Sequence, residues 1–431
     1  MRHKNPPTYP MDQAYWYLCP NSLERLTKNI EVDLVIVGGG MTGLSAAQAA
    51  IKRGLSVAIV EKTFVGSGAS GKSSGFITPD AEFSFSDLVR MHGAQDAQRI
   101  WQFIQSGVDT IYSNIMQYSF ECGYEKKDTL TLASTKHSVK KIIHEHETRL
   151  KYDLESNFYT QQTVSTAIQN SGYYAGVSYG KTFSIKAFDY CQGMKNILQQ
   201  QGVHIFEESP VIKILSDRIK THDAQVTAKH ILIASDYALS ELAPFAYDIY
   251  HAQTFLLVSA PLSETLAREL FPERPMMAWD TDLIYHYFRL THDNRLLLGG
   301  ADIFSTYSSQ PSFHNRRVFK QLSHYAQKYF PQLPLQWEYM WPGLIGITKD
   351  LFPLAGKDKD NPNIYYISGA AGLPWAAALG RYAIDALYEK RDDLDEFFNP
   401  YRRFCIPHAL QAIMGTRLAF ALSNFKQVGS L

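Results

Sequence analysis

The sequence predicts an α/β (α+β composite) fold, in which a Rossmann-like nucleotide-binding domain with a mixed central sheet is joined to an antiparallel-sheet domain with helices. Three observations predict it. A β-branched run, Val32 to Val37, ends in a glycine cluster and is followed by alanine-rich helix-period sequence and a second apolar run. Residues 251–300 carry short aromatic runs with period-two alternation, the mark of antiparallel hairpins. Residues 341–378 contain a second glycine-rich turn opening an alanine-rich helix.

At about 150 residues per domain, 431 residues make two or three domains. The 42 Lys+Arg balance the 42 Asp+Glu, a formal net charge of zero, so the chain has no electrostatic footprint for nucleic acid or an anionic membrane face. Charged residues are 19% and hydrophobic residues 45%, against roughly 25% charged in an average soluble domain. Such a chain buries a large core, and its 26 Tyr and 24 Phe point to aromatic-lined interior space. Cys19, Cys122, Cys191 and Cys405 lie far apart without a CxxC, which suggests neither a zinc site nor a disulfide framework. The first thirty residues carry Pro6, Pro7, Pro10 and charges, unlike a signal peptide. No apolar run reaches the roughly 20 residues that span a bilayer, so a cytoplasmic location is expected.

The first element is a β-α-β unit with GxGxxG at its turn: Gly38, Gly40 and Gly43. Gly38 permits the tight turn, Gly40 lets backbone approach a pyrophosphate, and Gly43 lets helix and strand pack closely. The helix N-terminus offers free N–H groups to phosphates. Leu55 to Val60 is the second strand, and Glu61 at its end suits a ribose hydroxyl pair and would repel a 2′-phosphate. The next segment, Gly66 to Gly75, matches two patterns formally: GxxxxGKS (Gly66, Gly71, Lys72, Ser73) and GxSxG (Gly71 to Gly75). Both need a strand leading in and a helix leading out. Here the strand stops near Val60, and Gly75 and Pro79 are unsuited to a first helical turn.

The stretch from Asp12 to Pro79 resembles the amino-terminal part of the FAD-dependent D-amino acid oxidase superfamily, especially its γ-glutamylputrescine-oxidase-like branch. Tyr15-Trp16 matches that branch's aromatic leader, and Gly68-Ala69-Ser70-Gly71 its phosphate-facing segment. Lys72-Ser73-Ser74-Gly75 stands where the family usually has Arg-Asn-Gly-Gly. The resemblance implies non-covalent FAD held by Gly38, Gly40, Met41, Thr42, Gly43, Glu61, Lys62, Gly68, Ala69, Ser70, Gly71, Val211, Gly343, Gly346, Thr348, Gly372 and Leu373.

Downstream, residues from about Phe85 to Gln162 read as helix-rich, with a stripe of Val89, Ile100, Phe103, Ile104, Val108 and Ile111. His144 and His146 fall on different helix faces, and no metal is assigned. Phe188 to Gln201 reads as a helix, Ile231 to Ser235 as a strand, and Asp282 to Thr291 and Arg295 to Gly300 as paired strands. Text such as YHYFRLTHDNRLLLGG is typical of the same branch, which makes Tyr287 and Arg289 pocket candidates together with Trp341. An interdomain ion pair is the plainer role for Arg289. Trp341 to Ala378 reads as a glycine-rich loop, a polar turn, the strand Ile364 to Ser368 and a helix from about Ala376. That helix N-terminus would favour negative charge on a reduced flavin. Where relatives show GxxGhG, this chain has Gly369 to Gly372 followed by Leu373 and Pro374. In GLIGITKD (Gly343 to Asp350), Ile345 occupies the position where amino-acid-binding relatives carry arginine, and Gly343 the position of a flavin-linking cysteine.

The expected architecture is a discontinuous FAD-binding domain (31–80, 185–235 and 340–400), a substrate or cap domain (81–184 and 236–339), and a helical tail (401–431). The expected function is FAD-dependent oxidation of the C–N bond of a primary or secondary amine, by hydride transfer to flavin and imine hydrolysis, with oxygen or quinone as acceptor. The alternatives are a flavin-binding protein without turnover and an amino acid dehydrogenase using Arg289 for the carboxylate. The apolar tail, Pro407 to Gln427, either packs on the body or lies on a membrane surface.

Overall fold

The computed structural model describes residues 15–16, 23–80, 82–170, 172–236, 245–301, 303–308, 316–388 and 393–429. The strand Ile30–Val37 is the centre of one eight-stranded sheet. It pairs in parallel with Val57–Val60 on one side and Gln225–Ala234 on the other, and Ile364–Ser368 extends the parallel set. Apolar β-branched residues fill these strands because helices cover their faces. The helix Met41–Ile51 buries Leu44, Ala46, Ala47 and Ala50 against the closing helix Leu373–Tyr388, and the Ser45 hydroxyl donates to the Ala377 carbonyl at 2.7 Å.

A second eight-stranded sheet holds the aromatic hairpins. Ile249–Pro261 lies between Arg295–Gly300 and Trp337–Thr348, both antiparallel to it. One pair in this sheet, Met276–Asp280 with Asp128–Ala133, is parallel.

Several elements depart from the sequence expectations. The stretch 85–162 is not continuously helical: Phe85–Tyr118 breaks at Gly93, and the strand Asp128–Ala133 enters the middle of the second sheet. That long helix joins the core of the nucleotide-binding unit, where Ile100, Ile104, Val108 and Ile111 share one cluster with Leu34 and Ile36. Residues 282–286 form a turn, and the strand is only Tyr287–Leu290. The Asp280 carboxylate accepts from the N–H groups of Asp282 and His286, both at 3.1 Å, and these bonds replace strand pairing. Trp337–Thr348 is a strand of the second sheet, where a glycine-rich loop is expected from the sequence. The closing helix starts at Leu373, three residues before Ala376; Pro374 fits its first turn because the missing N–H would have no intrahelical partner there.

The tail is two helices, His408–Met414 and Thr416–Gly429, parted at Gly415. Ala419 and Phe420 are buried, and the Asn424 amide donates to the Thr348 and Lys349 carbonyls, both at 3.1 Å. Leu410, Ile413, Leu418 and Leu422 stay exposed. No helix of the described residues is long and apolar enough to cross a membrane.

Candidate cofactor and substrate site

A cavity of about 1100 Å³ runs from the glycine turn to the aromatic strands, just above the roughly 300–1,000 Å³ range of small-molecule sites. At one end, Gly38 takes φ +113°, open to glycine at little cost. A Cβ at Gly43 would lie 2.0 Å from the Gly38 carbonyl oxygen, so helix and turn touch there as backbone. The helix begins at Gly40 with no side-chain cap and no acid in its first turn, leaving N–H groups and partial positive charge at the cavity wall. The Ser70 hydroxyl accepts from Met41 N–H at 2.9 Å. Glu61 accepts from Gly39 N–H at 2.8 Å and Thr63 N–H at 3.0 Å, so its carboxylate is fixed on the wall.

Gly38, Gly40, Met41, Thr42, Glu61, Lys62, Gly68, Ala69, Ser70, Val211, Gly343, Gly372 and Leu373 line this cavity. Gly43, Gly71, Gly346 and Thr348 lie behind its wall. A Cβ at Gly71 would meet the Gly66 carbonyl at 2.1 Å, and one at Gly346 the Asp236 carbonyl at 2.0 Å. The Thr348 hydroxyl is 2.7 Å from the Phe352 carbonyl.

Of the three pocket candidates, Tyr287 lines the cavity and Trp341 and Arg289 do not. Tyr287 covers Gly299 across the hairpin, where a Cβ would fall 2.1 Å from its ring. Trp341 is buried edge-on to Trp16, centroids 5.3 Å apart. The two indoles donate to consecutive carbonyls, Trp16 to Gly71 at 2.6 Å and Trp341 to Lys72 at 3.1 Å. Together they fasten the phosphate-facing segment from behind. Arg289 is 2% exposed and donates to the carbonyls of Ser74 at 2.8 Å, Ile185 at 3.0 Å and Leu290 at 3.2 Å. Burial lowers its pKa to about 10, still a cation at neutral pH. Its donors are taken by backbone, which leaves no fork for a substrate carboxylate.

Other cavity residues have no sequence motif. Trp279, Tyr285, Tyr307, Asp80 and Glu82 line the aromatic end. Burial raises the Asp80 carboxyl to about 7, against the pull of Tyr179, Thr78 and Arg149. Burial likewise raises Glu82 to about 7, opposed by a hydrogen bond from Tyr285, and Asp236 to about 7, opposed by Gly346 N–H. His251 is held below its usual value by burial, with Lys62 and Lys72 acting the same way. Asp280, Asp282 and His286 bring ligand atoms within 4.8 Å of one another. Hydrogen bonding accounts for the core of this group: Asp280 meets His286 Nδ1 at 3.1 Å and the Tyr325 hydroxyl at 2.9 Å.

The family model of FAD dependent oxidoreductases matches residues 33–386. The chain belongs to that family. FAD is therefore its cofactor, and the chain's own geometry fits it: a helix end whose N-cap is a glycine without a side chain, a glycine turn that admits no side chain, and a cavity continuing to the second sheet. No cysteine among the described residues lines the cavity, in keeping with non-covalent binding. The chain is 26% identical over 386 residues to a probable oxidoreductase, OrdL, of Haemophilus influenzae, covering 86% of each chain. It is 26% identical over 385 residues to the gamma-glutamylputrescine oxidoreductase of Escherichia coli, covering 87% of this chain and 88% of that one. Among solved structures, glycine oxidase from Geobacillus kaustophilus superposes with a TM-score of 0.73 at 19% identity, covering 87% of this chain and all of that one. L-proline dehydrogenase from P. horikoshii gives 0.73 at 18%, covering 87% and 98%. These likenesses show the fold.

Proposed function

We propose that this oxidoreductase oxidises the C–N bond of a primary or secondary amine. The observation that carries the reading is the absence of any arginine among the described residues lining the cavity, with Arg289 committed to backbone carbonyls. A simple α-amino acid has no bidentate partner for its carboxylate here. Similarity to a gamma-glutamylputrescine oxidoreductase over most of both chains supports the same choice. FAD, when bound, supplies the hydride acceptor for the α-carbon, and the imine product hydrolyses to a carbonyl compound. Residues 38, 40–42, 61–62 and 68–70 hold the nucleotide, and 343, 372 and 373 flank the ring end. Tyr287, Tyr285 and Trp279 exclude water and orient the amine against the flavin. No side chain is needed as an obligatory base, because a neutral amine is already reactive.

The purified protein is expected to be yellow and to be bleached anaerobically by an amine within a panel of amines and amino acids. Bound flavin that no member of the panel reduces would overturn the reading and favour flavin binding without turnover, which Ser73, Ser74, Leu373 and Pro374 on the cavity wall would then explain. Reoxidation by dioxygen or by a soluble quinone identifies the acceptor.

The tail supports one further element of the proposal. Leu410 and Ile413 share a face of one tail helix, and Leu418 and Leu422 a face of the next; all four are exposed. We propose peripheral contact of residues 407–427 with a lipid surface, suited to an electron acceptor dissolved there. The full chain is expected to co-sediment with phospholipid vesicles, and Leu410→Ser with Ile413→Ser to reduce the bound fraction at least threefold. Equal recovery of the two forms in the supernatant would refute the contact.

A further inference from the structure

Glu82 stands out among the carboxylates of the cavity. It lies between the short strand Phe76–Ile77 and the helix Phe85–Tyr118, at the aromatic end. It is half-buried and lines the cavity. Its one hydrogen-bond donor among the described residues is Tyr285, and no Lys, Arg or His side chain there faces it. Asp80, by contrast, is served by Thr78, Tyr179 and Arg149, and Glu145 by Arg149 and Ser86 N–H. A carboxylate has two oxygens and about four acceptor sites, so most of the capacity of Glu82 is unfilled.

The surroundings of Glu82 are aromatic. Tyr285, Tyr287 and Tyr307 all feel its charge. The hydroxyls of these rings are engaged: Tyr285 with Glu82, Tyr287 with Thr254, and Tyr307 with Asn424 at 3.0 Å. Tyr285 and Tyr287 have centroids 5.8 Å apart, and Phe76 lies 5.9 Å from Tyr287. Rings around an uncompensated carboxylate form a receptor for an organic cation, which gains from both the charge and the π-faces. An ammonium group would also supply the missing counter-ion, a charge-assisted partner for a carboxylate that has no ion pair among the described residues.

We propose that Glu82, steadied by Tyr285, anchors a second and non-reacting ammonium group of the substrate, so that the enzyme prefers amines with two basic nitrogens. The inference rests on the amine-oxidising reading of the same cavity. Two nitrogens then divide the site: the distal one, charged, at Glu82, and the reacting one, neutral, at the flavin. The spacing between them selects chain length.

The test uses FAD-loaded protein and a series of α,ω-diaminoalkanes with monoamines of matched length. Affinity is measured by calorimetry, and flavin reduction separately by anaerobic absorbance. The wild-type protein is expected to bind at least one diamine tenfold or more tightly than its matched monoamine. Glu82→Gln, isosteric and able to keep the Tyr285 hydrogen bond, is expected to lose that tenfold preference at unchanged flavin content. Tyr285→Phe, which keeps the ring, is expected to lose two- to fivefold. An unchanged preference in Glu82→Gln, or no preference in the wild type, overturns the assignment. If Glu82→Gln loses flavin, the wild-type series and Tyr285→Phe still decide it. Diamine binding that depends on Glu82 without any flavin reduction would uphold the anchor and refute amine oxidation, so the two failures are distinguishable.

Discussion

Arg289→Met is expected to lower the melting temperature of the protein by about 3–6 °C, well beyond the effect of an ordinary surface change. The guanidinium bridges three chain segments by donating to Ser74, Ile185 and Leu290 carbonyls inside the protein. Methionine fills similar volume but leaves those oxygens without donors. Breaking a buried charged network in this way costs about 3–5 kcal/mol. Arg289→Lys should recover only part of the loss, since an ammonium cannot reproduce the planar fork. Thermal unfolding of the flavin-loaded protein is the measurement. A variant that melts with the parent and differs only in substrate KM would show that Arg289 faces the substrate after all.

Gly43→Ala is expected to leave less than a tenth of the normal flavin content and to destabilise the chain by about 1–3 kcal/mol, the range for overpacked interiors. The added methyl would stand 2.0 Å from the Gly38 carbonyl oxygen and 3.3 Å from Ile36. The carbonyl at 2.0 Å is backbone and cannot rotate away as a side chain would, so relief requires the helix Met41–Ile51 to retreat from the turn. That retreat moves the turn and the N–H groups that face the nucleotide. Absorbance of the purified variant at flavin wavelengths, set against protein concentration, reports the result; full flavin content would contradict the packing argument.

The glycine turn and Arg289 differ in how much of their role the sequence carries. Gly38, Gly40 and Gly43 were legible because their roles depend on residues a few positions away, within one β-α-β unit. Arg289 was not, because its partners are backbone carbonyls of segments around 74 and 185, and a carbonyl carries no sequence signature. The same holds for Glu82, whose meaning comes from rings some 200 residues later. The alternation in residues 282–286 imitated a strand, yet Asp280 captures two of its N–H groups and bends it into a turn. Gly343 and Gly346 suggested a loop, but the long antiparallel partner Ile249–Pro261 holds them extended, and Gly346 is needed because the Asp236 carbonyl passes so close.

The helix that opens the nucleotide site is roofed by one placed more than 300 residues further along the chain. During synthesis at roughly 5–20 residues per second, the buried face of Met41–Ile51 waits on the order of 20–70 s for Leu373–Tyr388 to be made. Throughout that interval the face of Leu44, Ala46 and Ala50 that the closing helix covers stays open. The wall that Leu373 adds to the FAD cavity is likewise absent until that helix is made, so the complete cofactor site belongs to the finished polypeptide rather than to its first domain-sized fragment.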